Sequence, residues 1–228
     1  LSSRAHNVVL VDGLEQNRRR FPREQGVVSQ PLENPWETTD EYDFVSGEYT
    51  DGFGPDGRCK VKHRRSVLFA EPEYFVILDH FSPADKAAHR DEALFHLEGA
   101  VTVLDSASAT ARTDDGTGLA LSFAAPQGGA VLSVVEGQTE PVVQGWVHDR
   151  AYDCRPVPTL IASLETSGDC YLATVLYPLG AEQAPPVRHV RIETDEHARP
   201  WVRLTFTDGH ERLHPLHPRS GIPAPALF

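Results

Sequence analysis

His6 is the side chain whose type and position could most directly do chemistry, because it stands with Asn7 just before an apolar run. The stretch reads "LSSRAHNVVLVDGLEQ", and Asp12-Gly13 closes the run at residues 8–11. An imidazole there can ligate a metal, and Asn7 can hold a turn or orient the imidazole; turn chemistry is favoured for Asn7. A lone histidine beside a strand usually makes structural hydrogen bonds, so the residues alone favour that role for His6.

Other chemically capable side chains favour structural roles. His63 shares a strand face with Val61, Val67 and Phe69, which predicts a hydrogen-bonded core or interface histidine. Trp146 could stack on a sugar ring, but a tryptophan in a β-sandwich more often belongs to the core. Three further histidines surround a turn and a Pro-rich tail, where metal binding is not favoured: His210, His214 and His217.

Several classes of site are missing from the sequence. There is no Gly-x-Ser-x-Gly elbow, phosphate loop or dinucleotide fingerprint, and nothing singles out a glycosidase carboxylate pair. The three cysteines, Cys59, Cys154 and Cys170, match no zinc-ribbon or redox spacing. We expect buried free thiols, with a Cys154–Cys170 bridge as the alternative in an oxidising compartment.

The elements that must position these residues are strands. Asp-Gly occurs five times, and this pair favours type I′ hairpin turns between apolar, β-branched runs. The run "YFVILDHF" is apolar on both faces, which predicts a central strand covered on each side. The segment at residues 84–97 fits either a short helix or a loop entering a strand. We therefore predict an all-β chain, an antiparallel β-sandwich forming one domain over residues 1–228, with a surface-wrapping Pro-rich tail.

The composition limits the classes of partner that this chain can bind. The 228 residues carry a net charge of −12, which argues against nucleic-acid binding and requires local positive charge for an anionic polysaccharide. No apolar run reaches membrane-helix length, and no leader peptide is present in this chain, which does not settle the compartment. Two basic clusters could supply positive charge, although solvated faces are their more usual role: Arg18, Arg19, Arg20 and Arg23, and Lys60, Lys62, Arg64 and Arg65.

Four segments, taken in order, resemble the heparinase II/III-like polysaccharide lyases. They are "SSRAHNVVLVDGLEQ", "KHRRSVLFAEPEYFVILDHF", "GWVHDRAYDCRPVPTLIASLE" and "YLATVLYPLG". They correspond to a His-Asn strand with its Asp-Gly turn, a His-x-Arg strand followed by one ending near Asp, a Gly-Trp turn, and a strand closing in Leu-x-Pro. The likeness covers most of residues 1–180.

The resemblance implies a fold and a reaction. These lyases join an N-terminal α-helical toroid to a C-terminal antiparallel β-sandwich, and they cleave uronic-acid polysaccharides by β-elimination. A base removes the C5 proton of a uronate whose carboxylate is neutralised, and an acid protonates the leaving oxygen. Asn, Tyr and His serve these roles in the family, mostly from the toroid and the first strands of the sandwich.

For His6 the resemblance implies zinc. In several members the His of His-Asn binds zinc together with a His and an Asp that come earlier, and His6 matches that last position. The other two ligands have no match here, and neither do the catalytic acid and base. We therefore expect the later part of a lyase sandwich, inactive alone, that acts on an acidic polysaccharide or oligosaccharide with an α-helical toroid, which can be a separate chain. A secreted or periplasmic location is expected, with the cytoplasm as the alternative. The alternative function is a non-catalytic carbohydrate-binding or structural β-sandwich module.

Overall fold

A computed structural model describes residues 2–17, 34–70, 72–126, 129–150 and 153–217, with the side chains of residues 149 and 150 left aside. The described residues form seventeen strands and two short 3₁₀ turns, Ser3–Ala5 and Pro55–Gly57. The strands are β1 Val9–Val11, β2 Trp36–Thr38, β3 Tyr42–Tyr49, β4 Val61–Ala70, β5 Tyr74–Pro83, β6 Ala88–His96, β7 Ala100–Asp105, β8 Ser108–Arg112, β9 Gly118–Ala124, β10 Val131–Val135, β11 Trp146–Arg150, β12 Asp153–Pro156, β13 Thr159–Ser167, β14 Cys170–Leu179, β15 Val187–Thr194, β16 Pro200–Phe206 and β17 Glu211–Pro215. The first basic cluster, Arg18 to Arg23, and the tail from residue 218 lie outside the described residues.

The strands pair into antiparallel sheets, as the sequence predicts for an all-β sandwich. The largest sheet has eight strands in the order β2-β3-β4-β5-β14-β9-β8-β7, and a four-stranded sheet has the order β1-β6-β13-β10. A three-stranded sheet, β15-β16-β17, and the hairpin β11-β12 complete the described part.

The eight-stranded sheet is covered on both faces. A first core, which includes Ile77 and Phe81, lies between it and the four-stranded sheet. A second core, which includes Val76 and Leu78, lies between its other face and the three-stranded sheet. All four of these residues belong to β5, and each buried aliphatic or aromatic side chain contributes about 1.5–3 kcal/mol. The prediction that "YFVILDHF" is a strand covered on each side is confirmed.

Strand β1 lies at the edge of the four-stranded sheet, paired with β6, and its three side chains are buried. Asp12 and Gly13 both have positive φ, 53° and 67°, and Val11 and Leu14 exchange backbone hydrogen bonds across them. This is the two-residue hairpin that the Asp-Gly pair predicts.

Two other Asp-Gly pairs do not form that turn. At Asp115-Gly116 and Asp208-Gly209 only the glycine has positive φ, so the prediction of a type I′ turn is wrong there. The loops are one residue longer than a type I′ hairpin allows. Each aspartate instead accepts a hydrogen bond from the backbone N–H two residues on, in Thr117 and His210.

Residues 84–97 prove to be a loop entering β6. This strand pairs with β1 on one side and with β13 on the other, and two ladders of backbone hydrogen bonds outweigh the helical propensity of its alanines and charged residues. Within the described ranges, no helix has the length and hydrophobicity that a membrane crossing requires.

The cysteines differ from expectation in one respect. All three are free, so the Cys154–Cys170 bridge is not formed, and Cys154 is exposed rather than buried. Cys170 is buried in the first core, where its Sγ lies 3.3 Å from Asp91 Oδ2. The two thiols therefore belong to different environments.

Candidate functional site

The segment that carries His6 is held in place by its own polar residues. His6 follows the 3₁₀ turn Ser3–Ala5, which Ser2 caps by accepting a hydrogen bond from the Arg4 N–H. The Ser3 N–H donates to Glu15 Oε2, and Arg4 Nη2 donates to the Gly13 carbonyl. The start of the described chain is therefore folded back onto the β1 hairpin, and His6 itself is exposed.

Asn7 connects this segment to two other strands. Its Oδ1 accepts a hydrogen bond from the backbone N–H of His96, at 2.8 Å, and lies 3.1 Å from His96 Nδ1. Its carbonyl accepts a hydrogen bond from Arg65 Nη1 at 2.7 Å. Asn7 lies at the centre of a tight turn, in which the Val8 N–H donates to the His6 carbonyl at 2.9 Å, so the expectation that it serves a local turn is confirmed. Its side chain also orients His96 rather than His6, because strand pairing brings the end of β6 alongside it.

Arg65 is fixed by a buried carboxylate. Asp79 is fully buried, and it accepts two hydrogen bonds from Arg65, at 2.7 and 2.9 Å, and one from His63 Nε2 at 2.7 Å. Burial alone would raise the pKa of Asp79, but the Arg65 guanidinium and the His63 hydrogen bond hold it well below its ordinary value. His63 has the structural role that its strand face predicts. Arg65 belongs to a buried ion pair, so its interpretation as part of a solvated basic face is wrong.

His6 has no set of metal ligands around it within the described part of the chain. It belongs to no group of three His, Cys, Asp or Glu side chains close enough to share an ion. The imidazole of His96 lies within electrostatic range of His6, but its Nδ1 contacts Asn7 and its Nε2 lies 3.4 Å from Gln144 Nε2. The residues described here do not complete a zinc site at His6.

The remaining candidates from the sequence are held apart. His214 Nε2 lies 2.8 Å from the Tyr74 hydroxyl, His210 pairs with Asp208, and the ring of His217 packs against Trp201. Each of the three histidines therefore has its own separate contact.

Trp146 is half-buried at the start of the β11-β12 hairpin, and its Nε1 donates to the Gln138 carbonyl at 2.9 Å. Its indole is thus anchored within its own loop region rather than in either of the two cores.

A cavity of about 650 Å³ opens beside the second core, on the face of the eight-stranded sheet that this core covers. Arg64 and Arg199 line it, but Arg64 pairs with Glu48 and Arg199 pairs with Asp195. Because both guanidinium charges are compensated, the cavity gives no excess positive charge for an anionic chain.

Sequence reasoning misses one cluster that the fold brings together. Asp12 Oδ2 lies 2.8 Å from His89 Nδ1, and Cys59 Sγ lies 3.9 Å from each of these atoms. His89 Nε2 lies 3.0 Å from Asp85 Oδ1. Burial, then the Asp12 carboxylate, raises the pKa of the Cys59 thiol to about 11, so Cys59 is not an activated nucleophile. The members are far apart in sequence and match no spacing motif, so no local signal reveals them.

Comparisons with known proteins identify the family. A sequence model described as "Heparinase II/III-like, C-terminal" matches residues 1–190. No curated protein matches the sequence. Among solved structures, the fold is similar to the heparan sulfate lyase HepC from Pedobacter heparinus, with a TM-score of 0.67 and 17% identity over 94% of this chain and 31% of that one.

Two further solved structures have the same fold. One is described as "Heparinase III-BT4657 gene product", with a TM-score of 0.63 and 17% identity over 91% of this chain and 29% of that one. The other is described as heparinase III, with a TM-score of 0.64 and 12% identity over 92% of this chain and 29% of that one. The chain spans less than a third of these structures. Since the family model covers most of its residues, the chain belongs to the heparinase II/III-like, C-terminal family.

Proposed function

We propose that this chain is the β-sandwich part of a polysaccharide lyase that cleaves a uronic-acid-containing polysaccharide by β-elimination. The match to the C-terminal family over residues 1–190 carries the proposal, and the solved structures of similar fold are described as heparan sulfate lyase or heparinase III. Action on such a polysaccharide suits a secreted or periplasmic protein. No residue of this chain is assigned as catalytic acid or base, and in this proposal these groups come from the α-helical toroid and the first strands of the sandwich, outside this chain.

In this proposal the sandwich holds the segment bearing His6 in place and does not transfer protons. Asp79 fixes Arg65, Arg65 holds the Asn7 carbonyl, and Asn7 holds His96, so the segment bearing His6 is anchored to both large sheets. A side chain that is exposed on an anchored segment is suited to meet groups from another part of the protein. We propose that His6 supplies one nitrogen to a zinc ion whose other ligands, a His and an Asp, come from that other part.

The activity is tested on the full lyase and on this chain alone. The full protein is expected to produce unsaturated uronate from heparin, chondroitin or alginate, followed by its ultraviolet absorbance, and the chain alone is expected to produce none. Turnover by the chain alone would show that a catalytic set lies within it. No turnover by the full protein on any of these would favour the non-catalytic carbohydrate-binding or structural module.

The zinc role of His6 is tested by metal content of the full protein. His6→Ala is expected to lose the ion, while His197→Ala, another exposed histidine, is expected to keep it. Equal zinc in the wild type and His6→Ala would return His6 to a structural role.

A further inference from the structure

We propose that Asp12, Cys59 and His89 form a second zinc site, which this chain completes by itself and which does not involve His6. The three side chains come from the β1 hairpin, the loop before β4 and the start of β6. Asn7 contacts His96 at one end of β6, and Asp12 contacts the backbone of Arg90 at the other. Because seven residues of strand span about 23 Å, His89 and His96 lie at well-separated places.

The geometry is close to that of a tetrahedral ion. Zinc lies about 2.3 Å from sulfur and about 2.0–2.2 Å from nitrogen or oxygen, which puts its ligand atoms roughly 3.3–3.6 Å from one another. The sulfur here is 3.9 Å from both partners, and the Asp12 and His89 atoms are 2.8 Å apart. Shifts of about half an ångström would therefore seat the ion.

The ligands are already oriented by a second layer of contacts. Asp85 binds the other imidazole nitrogen of His89, the carboxylate–histidine arrangement that fixes a metal-bound ring. The other oxygen of Asp12, Oδ1, accepts the Arg90 N–H at 2.9 Å. Cys59 exchanges two backbone hydrogen bonds with Phe53, and Gly52, with φ at 77°, packs so tightly that a Cβ would lie 2.7 Å from the Cys59 carbonyl oxygen.

A separate observation favours a cation here. Asp91 follows His89 by two residues on the same face of β6, and it interacts electrostatically with Asp12, His89 and Cys59. It is 2% exposed, and its Oδ1 is buried without a hydrogen-bond partner. A buried carboxylate oxygen without a partner is costly, and a nearby positive ion lowers that cost.

The donor set selects zinc. A thiolate, an imidazole and a carboxylate together suit zinc, whereas magnesium and calcium prefer oxygen ligands alone. Binding replaces the Cys59 S–H bond by an S–Zn bond and releases the proton to solvent. The Asp12 side chain is 40% exposed, so the ion has a route of entry and its fourth position is open to water.

The decisive test uses cobalt as a spectroscopic substitute for zinc in the purified wild-type protein after a chelator has removed its metal. Cobalt bound through Cys59 is expected to give a thiolate-to-metal charge-transfer band in the near ultraviolet, because cobalt(II) accepts the same ligands. A band that zinc removes supports the site. Cobalt binding without such a band, or no binding at all, would overturn it and leave the cluster as a hydrogen-bonded network. This measurement needs no variant, so it stands even where a substitution prevents folding.

Variants then assign the ligands. Cys59→Ser and His89→Gln are expected to lose the cobalt band and one equivalent of zinc, whereas Cys154→Ser, at the exposed cysteine, and His6→Ala keep the band. Asp85→Asn, which weakens the support of the His89 ring, is expected to weaken zinc binding about 10–100-fold. An unchanged band in folded Cys59→Ser, or its loss in Cys154→Ser, would contradict the proposal.

Discussion

The two ends of strand β6 hold histidines in opposite surroundings. At the His96 end, Asn7 and Gln144 contact the ring, and burial lowers the pKa of His96. At the His89 end, two carboxylates flank the ring. Burial would lower the pKa of His89, but the hydrogen bonds to Asp12 and Asp85 raise it above its ordinary value. The two ends therefore shift the pKa of their histidines in opposite directions.

The two ends of β6 also differ in the metal ligands that lie close to them. Beside His96, His6 is exposed on an anchored segment and has no ligand set among the described residues, so any metal there must draw on groups from elsewhere. Beside His89, three ligand types converge within the chain itself. We propose that a single sandwich carries one metal site that depends on another part of the protein and one that it completes itself.

The largest expected effect comes from the buried support of the His6 end. Asp79→Ala leaves Arg65 and His63 without their shared carboxylate, and breaking a buried ion pair of this kind costs about 3–5 kcal/mol of unfolding free energy. Denaturant unfolding measures the change. The control is Glu98→Ala, which breaks the exposed pair with Arg155 and should cost less than about 1 kcal/mol. Equal losses would show that the His6 end does not depend on a buried anchor.

Acid should weaken the ion pair between Asp79 and Arg65. Because the pKa of Asp79 is lowered on folding, its contribution is present above the unfolded-state pKa of about 3.9 and is lost as pH falls towards the lower folded-state pKa. Unfolding free energy is therefore expected to fall steeply below about pH 4. Asp79→Asn should flatten that part of the pH profile, and an unaltered slope would assign acid sensitivity to other groups.

The contact between Asn7 and His96 should appear as an energetic coupling between the two residues in unfolding free energy. Asn7→Ala removes the acceptor for the His96 backbone N–H and ring, which is expected to cost about 1–3 kcal/mol. In a double-mutant cycle with His96→Ala, the two changes should be non-additive by at least about 0.5 kcal/mol. Additive effects would mean that the ring contact contributes nothing beyond the backbone bond.

The smallest expected effect separates the two ends directly. His6→Ala in the zinc-free chain should change unfolding free energy by no more than about 0.5 kcal/mol, because the side chain is exposed. His89→Ala should cost about 1–3 kcal/mol, since Asp12 and Asp85 both lose a partner. Thermal or denaturant unfolding without metal compares them, and a loss at His6 as large as that at His89 would end the distinction.

The sequence by itself determined the features that depend on neighbouring residues. Alternation and turn residues predicted the all-β class, the two covered faces of β5 and the hairpin at Asp12-Gly13, because each depends on side-chain period or local φ preference. The order of its motifs also indicated the family, whose model matches residues 1–190.

Only the tertiary structure decided which distant residues meet. Asp12, Cys59 and His89 converge because β1 pairs with β6 and a loop brings Cys59 against both. Arg65 is half-buried and paired with Asp79 because the two residues lie opposite each other on β4 and β5. Strand pairing joins residues at long and irregular separations in sequence. A pattern of near neighbours therefore cannot specify these contacts, whereas the antiparallel register fixes them.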